Sequence, residues 1–392
     1  MTFPDRVPAG AASRAEAPKA AHKKMAEPNT ARIPALDLLR FTAAVAVTLY
    51  HYVSCYPAPA DAAREPLHAI SAVTRYGYLG VDLFFMISGF VILWSSWSRS
   101  ALDFSISRIT RLYPSFWASL VFTAACIYFI AGVVPGADVP ELNARTLAAN
   151  ATMVPAIFGA PLVEGVYWTL EIEIRFYALI FVLLLFRSIQ RVEPLLYAWI
   201  ALTIASFFLP MPWVAVYFGL IPYGAFFASG CLFFLVMARG WTLPRAIGLA
   251  TGLATCIVVA LEQRGQFLTA DLVSAIVVPL LVVGFFGLFV LLLRPGSKAP
   301  SRTSYWLGAI TYPLYLTHAM MGYLLYGLLR PKIGLAPTLV AITVLAFLVA
   351  IALTITVDIP ARKPFARLLQ RLASAVNLRT GNRETANPSR PQ

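Results

Sequence analysis

Arg40 and His51 stand eleven positions apart in one apolar run, RFTAAVAVTLYH. On an α-helix that separation is roughly three turns, which puts both side chains near one face, roughly 16 Å apart along the axis. Asp37 shares that face. Lipid solvates ionisable groups poorly, so a guanidinium and an imidazole kept in such a run mark a functional site. An imidazole near a carboxylate suits general-base work on a hydroxyl. A guanidinium holds a phosphate through two parallel hydrogen bonds. The same residue types recur further on: Arg108 and Arg111 in FSISRITRLYP, Asp82 in YLGVDLFFMISGFVILW, and His318 in TYPLYLTHAM. In VYWTLEIEIRFY, Glu171 and Arg175 are four apart and pair on one helical face. Glu173 then points elsewhere, alongside Thr169 and Tyr177.

The elements that position these groups are membrane helices. The chain has 392 residues, 59% hydrophobic and only 12% charged, against about 25% charged in a soluble domain. Ten apolar segments approach the ~20-residue spanning length. They fall at 35–56, 79–98, 112–133, 166–186, 195–209, 214–238, 245–261, 271–293, 304–329 and 335–358, with 145–158 as a marginal eleventh. An even count puts both tails on one side, together with the linkers after segments 2, 4, 6 and 8. Those linkers hold Arg99, Arg108, Arg111, Arg187, Arg191, Arg239, Arg245, Arg294, Lys298 and Arg302 against Asp103 and Glu193. The opposite linkers balance their cations with acids. Loops rich in Lys and Arg stay in the cytoplasm, so the expected fold is an all-α, polytopic bundle of about ten transmembrane helices with both termini cytoplasmic. Residues 1–32 and 361–392 read as basic tails, the first disordered, around a membrane domain at 33–360.

This topology sorts the polar residues by depth. Asp37, Arg40, Arg108 and Arg111 fall in the inner half, while His51, Asp82, Glu173 and His318 fall in the outer half. Inner arginines suit an anionic, phosphate-bearing ligand arriving from the cytoplasm. Each residue also has a structural alternative: Arg108 and Arg111 as snorkelling loop cations, Glu173 as a carboxylate paired across helices, Asp82 as a helix cap, His318 as an interface residue. The tryptophans at 94, 97, 117, 168 and 306 read as interfacial belt. The net charge of +13 follows from the loop asymmetry and implies no nucleic-acid partner. Cys55, Cys126, Cys231 and Cys256 lack CxxC spacing and read as small core residues. No phosphate loop, HExxH or EF-hand loop is present, so no metal site is expected.

Five stretches resemble the acyltransferase-3 family of bacterial integral-membrane acyltransferases, over residues 33 to 360. Arg40 and His51 match its Arg-x10-His motif, and YLGVDLFFMISGFVI resembles its second helix. Arg108–Arg111 match its RxxR before Tyr-Pro, WTLEIEIRFY aligns Glu173 with the family glutamate, and LGAITYPLYLTH ends at His318. The resemblance implies acyl transfer, chiefly acetyl with succinyl as the alternative, from cytoplasmic acyl-CoA to a hydroxyl of a glycan or small molecule. Acetyl-CoA is then a co-substrate, with no bound cofactor, in the cytoplasmic (inner) membrane. It also implies His51 and Glu173 as catalytic residues, Arg40, Arg108 and Arg111 as donor-binding, and Asp37, Asp82 and His318 as supporting, with Glu173 or Asp82 orienting the imidazole. Some members carry an extracytoplasmic esterase-like domain. This sequence shows none, so either a second transfer step uses a separate extracytoplasmic partner or the membrane domain hands the acyl group directly to its acceptor. The competing class is a secondary transporter or flippase, whose embedded charges line a solute path; a non-catalytic scaffold leaves Arg40 and His51 unexplained.

Overall fold

The computed structural model describes residues 33–57, 67–268, 271–294 and 302–384. All regular structure among them is helical; nine of the ten apolar segments each form one helical stretch, and 214–238 splits into two helices around a turn at 219–223. In chain order these are α1 (Pro34–Leu49), α2 (Leu67–Thr74), α3 (Gly80–Ser96), α4 (Ala101–Ile130), α5 (Ala144–Ala151), α6 (Tyr167–Leu185), α7 (Glu193–Ala205), α8 (Trp213–Phe218), α9 (Gly224–Arg239), α10 (Leu243–Phe267), α11 (Leu272–Leu292), α12 (Arg302–Ile333), α13 (Leu335–Leu353) and α14 (Ile359–Glu384). Six helical stretches are long and apolar enough to cross a membrane, and α7 and α9 are shorter apolar helices. The protein is a multi-pass membrane protein. The marginal segment at 145–158 yields only α5, eight residues. At 1.5 Å per residue that is roughly 12 Å, well short of a ~30 Å hydrocarbon core. It packs instead on the middle of α4, where the Tyr113 hydroxyl and the Trp117 Nε1 donate to the Thr152 and Ala151 carbonyls at 3.1 and 3.0 Å.

At the centre lie α3 and α9. Every residue of α9 from Gly224 to Val236 is buried. Lipid tails are as apolar as leucine, so helices associate in a bilayer through close packing rather than hydrophobic exclusion. Two glycines make that packing possible. A Cβ on Gly89 would strike the Phe227 carbonyl, and one on Gly230 would strike the Met86 carbonyl, so each helix presses its bare backbone on the other. Aromatic side chains fill the space beside this contact: Phe85, Phe176 and Trp199 all pack on Phe227, with centroids 4.5–6.2 Å away.

The connections sort to the two ends of the bundle. The Gln190 amide donates to the Trp97 carbonyl at 2.9 Å, Arg239 donates to the Gln190 carbonyl at 3.0 Å, and Arg245 pairs with Glu193 at 2.8 Å. Those contacts join the α3–α4, α6–α7 and α9–α10 connections. At the other end Arg75 pairs with Asp271 at 3.2 Å, and the Asp138 backbone donates to the Tyr323 hydroxyl at 3.1 Å. Three sequence expectations change. Trp97 is buried against Arg239 and Phe234, and Trp168 packs on Tyr223, so neither is a belt residue. Cys231 and Cys256 are buried, but Cys55 is exposed. Residues 359–384 form α14, while the tail at 1–32 and residues 385–392 lie outside the described residues.

Candidate active site

α1 does not run regularly to His51. After Leu49 the backbone widens into a π-helical turn, Tyr50–Cys55, which carries the imidazole. Such turns shift side-chain register and recur at functional sites. His51 Nδ1 lies 2.9 Å from the Val47 carbonyl and 3.2 Å from His318 Nε2. His318 Nδ1 in turn faces two carbonyls, Leu314 at 3.1 Å and Tyr315 at 3.0 Å. Carbonyls only accept, so His318 carries its proton on Nδ1 and offers the Nε2 lone pair. His51 therefore donates from Nδ1, and its Nε2 lone pair is left without a protein partner among the described residues. The register of the two rings is pinned from both sides. Tyr52 donates to the His318 carbonyl at 2.9 Å and Tyr56 to the Ala319 carbonyl at 2.7 Å.

His51 opens on an outer cavity of about 450 Å³, within the size range of small-molecule sites. Tyr50, Tyr56, Tyr78, Asp82, Glu164, Trp168, Tyr223, Gln263, Tyr315 and Tyr323 are among its lining residues. Glu164, fully buried in the connection before α6, was not singled out in the sequence. Its two oxygens accept the Met320 N–H at 3.1 and 3.0 Å, and burial pushes its carboxyl up to about 8. Only its nearness to the WTLEIE stretch pointed to it. Gln263 and Tyr223 gave no sequence signal, because amide and phenol side chains are ordinary at helix ends.

An inner cavity of about 90 Å³ lies against the first. Arg40, Arg108, Arg111, Glu173, Ser88 and Tyr177 line it, and Val81 and Tyr315 line both. Three other arginines of the bundle pair with carboxylates: Arg175 with Glu171 at 3.7 Å, Arg245 with Glu193, and Arg75 with Asp271. No carboxylate ion-pairs with Arg40, Arg108 or Arg111 among the described residues. Arg108 is buried, its Nε has no hydrogen-bond partner, and it stacks over Phe104 at 5.8 Å. Glu173 Oε1 accepts from Ser88 at 2.8 Å and from Tyr177 at 2.6 Å, so the carboxylate sits in the arginine cavity and not beside His51. Asp37 is buried against Gly308, another residue of the inner wall. Asp82 faces the outer cavity. The orienting partner of the His51 ring is thus His318, not Glu173 or Asp82. Thr169 accepts from the Tyr315 hydroxyl at 2.8 Å, because its own proton goes to the Val166 carbonyl.

Comparison with known proteins identifies the family. Residues 33–355 match the acyltransferase-3 family model, described as an acyltransferase domain. The chain belongs to this family and carries its acyltransferase domain. It is 28% identical over 199 residues to the acyltransferase MdmB of Streptomyces mycarofaciens, a match covering 49% of each chain. It is 26% identical over 325 residues to ORF330 of Acidianus two-tailed virus, whose name proposes an acetyltransferase; that match covers 77% of this chain and 87% of the viral one. The chain thus spans about half the length of MdmB. No solved structure matches it.

Proposed function

We propose that this protein crosses the bacterial cytoplasmic membrane ten times, both termini inside, and transfers an acetyl group from cytoplasmic acetyl-CoA to a hydroxyl of a surface glycan or related acceptor. One observation carries this reading. The cavity with three unpaired arginines and the cavity with the bare His51 Nε2 meet at Val81 and Tyr315.

CoA phosphates supply the negative charge that Arg40, Arg108 and Arg111 lack, and each guanidinium can grip two phosphate oxygens. Glu173, held by Ser88 and Tyr177, positions those arginines. The thioester then extends past Tyr315 toward His51. His51 Nε2 takes the proton of the acceptor hydroxyl as its oxygen attacks the thioester carbonyl. The new C–O bond forms, the C–S bond breaks, and the proton passes from His51 to the leaving thiolate, giving an ester and free CoA.

Free-thiol release from acetyl-CoA, paired with mass spectrometry of the cell-surface glycan, tests the scheme. His51→Ala should lower turnover about 10²–10⁴-fold, the usual worth of a general base. Arg108→Ala or Arg111→Ala should raise the KM for acetyl-CoA more than that for the acceptor. Wild-type turnover in the His51 variant would sink the assignment.

A further inference from the structure

The wall of the outer cavity facing α10 holds polar groups that the fold leaves unsatisfied. The Tyr78 hydroxyl and the Gln263 Nε2 are both buried and have no hydrogen-bond partner. Asp82, 3% exposed, has no hydrogen bond or ion pair among the described residues. These three groups come from separate elements: the turn Arg75–Leu79, α3 and α10. A buried polar group left unmatched is costly. The bundle keeps all three groups on one cavity, which Trp168 and Tyr223 also line, their ring centroids 5.4 Å apart.

Charge narrows what could satisfy them. No lysine or arginine lines this cavity among the described residues, whereas Asp82, Asp138 and Glu164 do. Arg264, next to Gln263 on α10, interacts electrostatically with Tyr78 and keeps its Nε and Nη1 buried without a partner, but it is not a lining residue. The inner cavity is the reverse, with three arginines and one carboxylate. An anion in the outer cavity would find carboxyl groups and no cation in the lining, and an uncompensated charge at a desolvated site is expensive. A neutral ring of hydroxyls would find a donor, an acceptor and aromatic rings within one lining. An amino group would find a carboxylate and two aromatic faces.

Resting on the assignment of the outer cavity to the acceptor, we propose that Tyr78, Gln263 and Asp82 form the subsite that reads the acceptor, and that the subsite admits a neutral or amino-bearing sugar ring and rejects an acidic one. The wall that accepts the sugar is thereby opposite in charge character to the wall that accepts CoA, and neither substrate fits the other's place.

The experiment uses the full-length protein in lipid nanodiscs and three probes: methyl glucoside, methyl glucosaminide and methyl glucuronide. Binding is read from the part of the tryptophan fluorescence change that Trp168→Phe removes, and turnover from glycoside-dependent thiol release. Methyl glucoside or methyl glucosaminide should bind at least tenfold tighter than methyl glucuronide. Gln263→Leu and Tyr78→Phe should each weaken glycoside binding several-fold and leave the KM for acetyl-CoA unchanged. Equal or tighter binding of the glucuronide overturns the inference, as does the absence of any Trp168-dependent signal. Two variants that bind glycoside like wild type would overturn it too. Selective binding without His51-dependent thiol release would leave the subsite standing and remove the acyl-transfer reading instead.

Discussion

Arginine in a helical bundle is costly unless something matches its charge, and this protein treats its arginines in two ways. Arg245 is buried and gives Nε and Nη2 to the two oxygens of Glu193 at 2.9 and 2.8 Å. Arg108 is equally buried and has no carboxylate, only the Ser107 hydroxyl at 3.2 Å. Opposite responses to the same substitution follow. Arg245→Met leaves Glu193 only Arg239 at 4.0 Å and the Tyr197 hydroxyl at 2.9 Å, and should lower stability by less than the about 3–5 kcal/mol of a fully buried pair. Arg108→Met removes an unmatched guanidinium and should raise the thermal midpoint in detergent, by about 1–3 kcal/mol of stability, while weakening acetyl-CoA. A fall in stability with Arg108→Met would mean that the guanidinium has a partner in the apo protein. His318 makes a second test. His318→Leu should lower kcat about 10–100-fold, the range lost when a group orienting a functional imidazole is removed, with both KM values held. His318→Gln, whose amide oxygen can still accept from His51, should recover part of that loss; equal rates in both variants would argue against an orienting role. The residue types of this site were readable in the sequence, because charge inside an apolar run has few bland explanations. The pairing was not: depth alone set Glu173 beside His51, whereas the hydroxyls of Ser88 and Tyr177 hold it in the other cavity.

Among the elements, the π-helical turn and the α3–α9 contact decide whether the site assembles. A regular helix from Arg40 to His51 would put both side chains on one face. The widened turn at Tyr50–Cys55 instead directs His51 toward His318 and the outer cavity. Nothing in RFTAAVAVTLYH announces that turn, since a π turn depends on tertiary partners, here Tyr52 and Tyr56 bonded to α12. The helices themselves were legible from hydropathy, but their closeness was not, because a glycine reads alike whether it faces a neighbouring backbone or open space. Gly89 and Gly284 illustrate the two cases. A Cβ at Gly89 meets the Phe227 carbonyl, while at Gly284 it meets nothing within 4 Å. Gly89→Val should therefore cost about 1–3 kcal/mol or more through overpacking, displacing Asp82 and Ser88 on the same helix and lowering turnover with stability. Gly284→Ala should leave both intact or add slightly to stability, since alanine favours a helix by up to ~1 kcal/mol over glycine. Thermal midpoints of the two variants in one detergent compare them directly, and a stable, active Gly89→Val would show that α3 and α9 do not need their backbone contact.

For the molecule as a whole, the two cavities give the bundle a direction. Their chemistry is ordered along the chain's own path: α1 presents Arg40 first and His51 three turns later. The connections fall into two sets that meet at opposite ends, one through Arg239, Arg245 and Glu193, the other through Arg75 and Asp271. The first set is the one whose linkers carry the excess of arginine, and the proposed topology follows the positive-inside rule in assigning that end to the cytoplasm. The proposed donor, acyl-CoA, is made in the cytoplasm and its phosphates cannot cross a lipid core unaided, so the proposed reaction requires that orientation. Reporter fusions test it. A fluorescent protein that matures only in the cytoplasm, fused after Gln392, should be bright, and alkaline phosphatase fused there should be inactive. Phosphatase inserted near Asp138, at the rim of the outer cavity, should be active. The reverse pattern would turn the arginine cavity away from the CoA pool, and Arg40, Arg108 and Arg111 would then need an anion supplied from outside the cell.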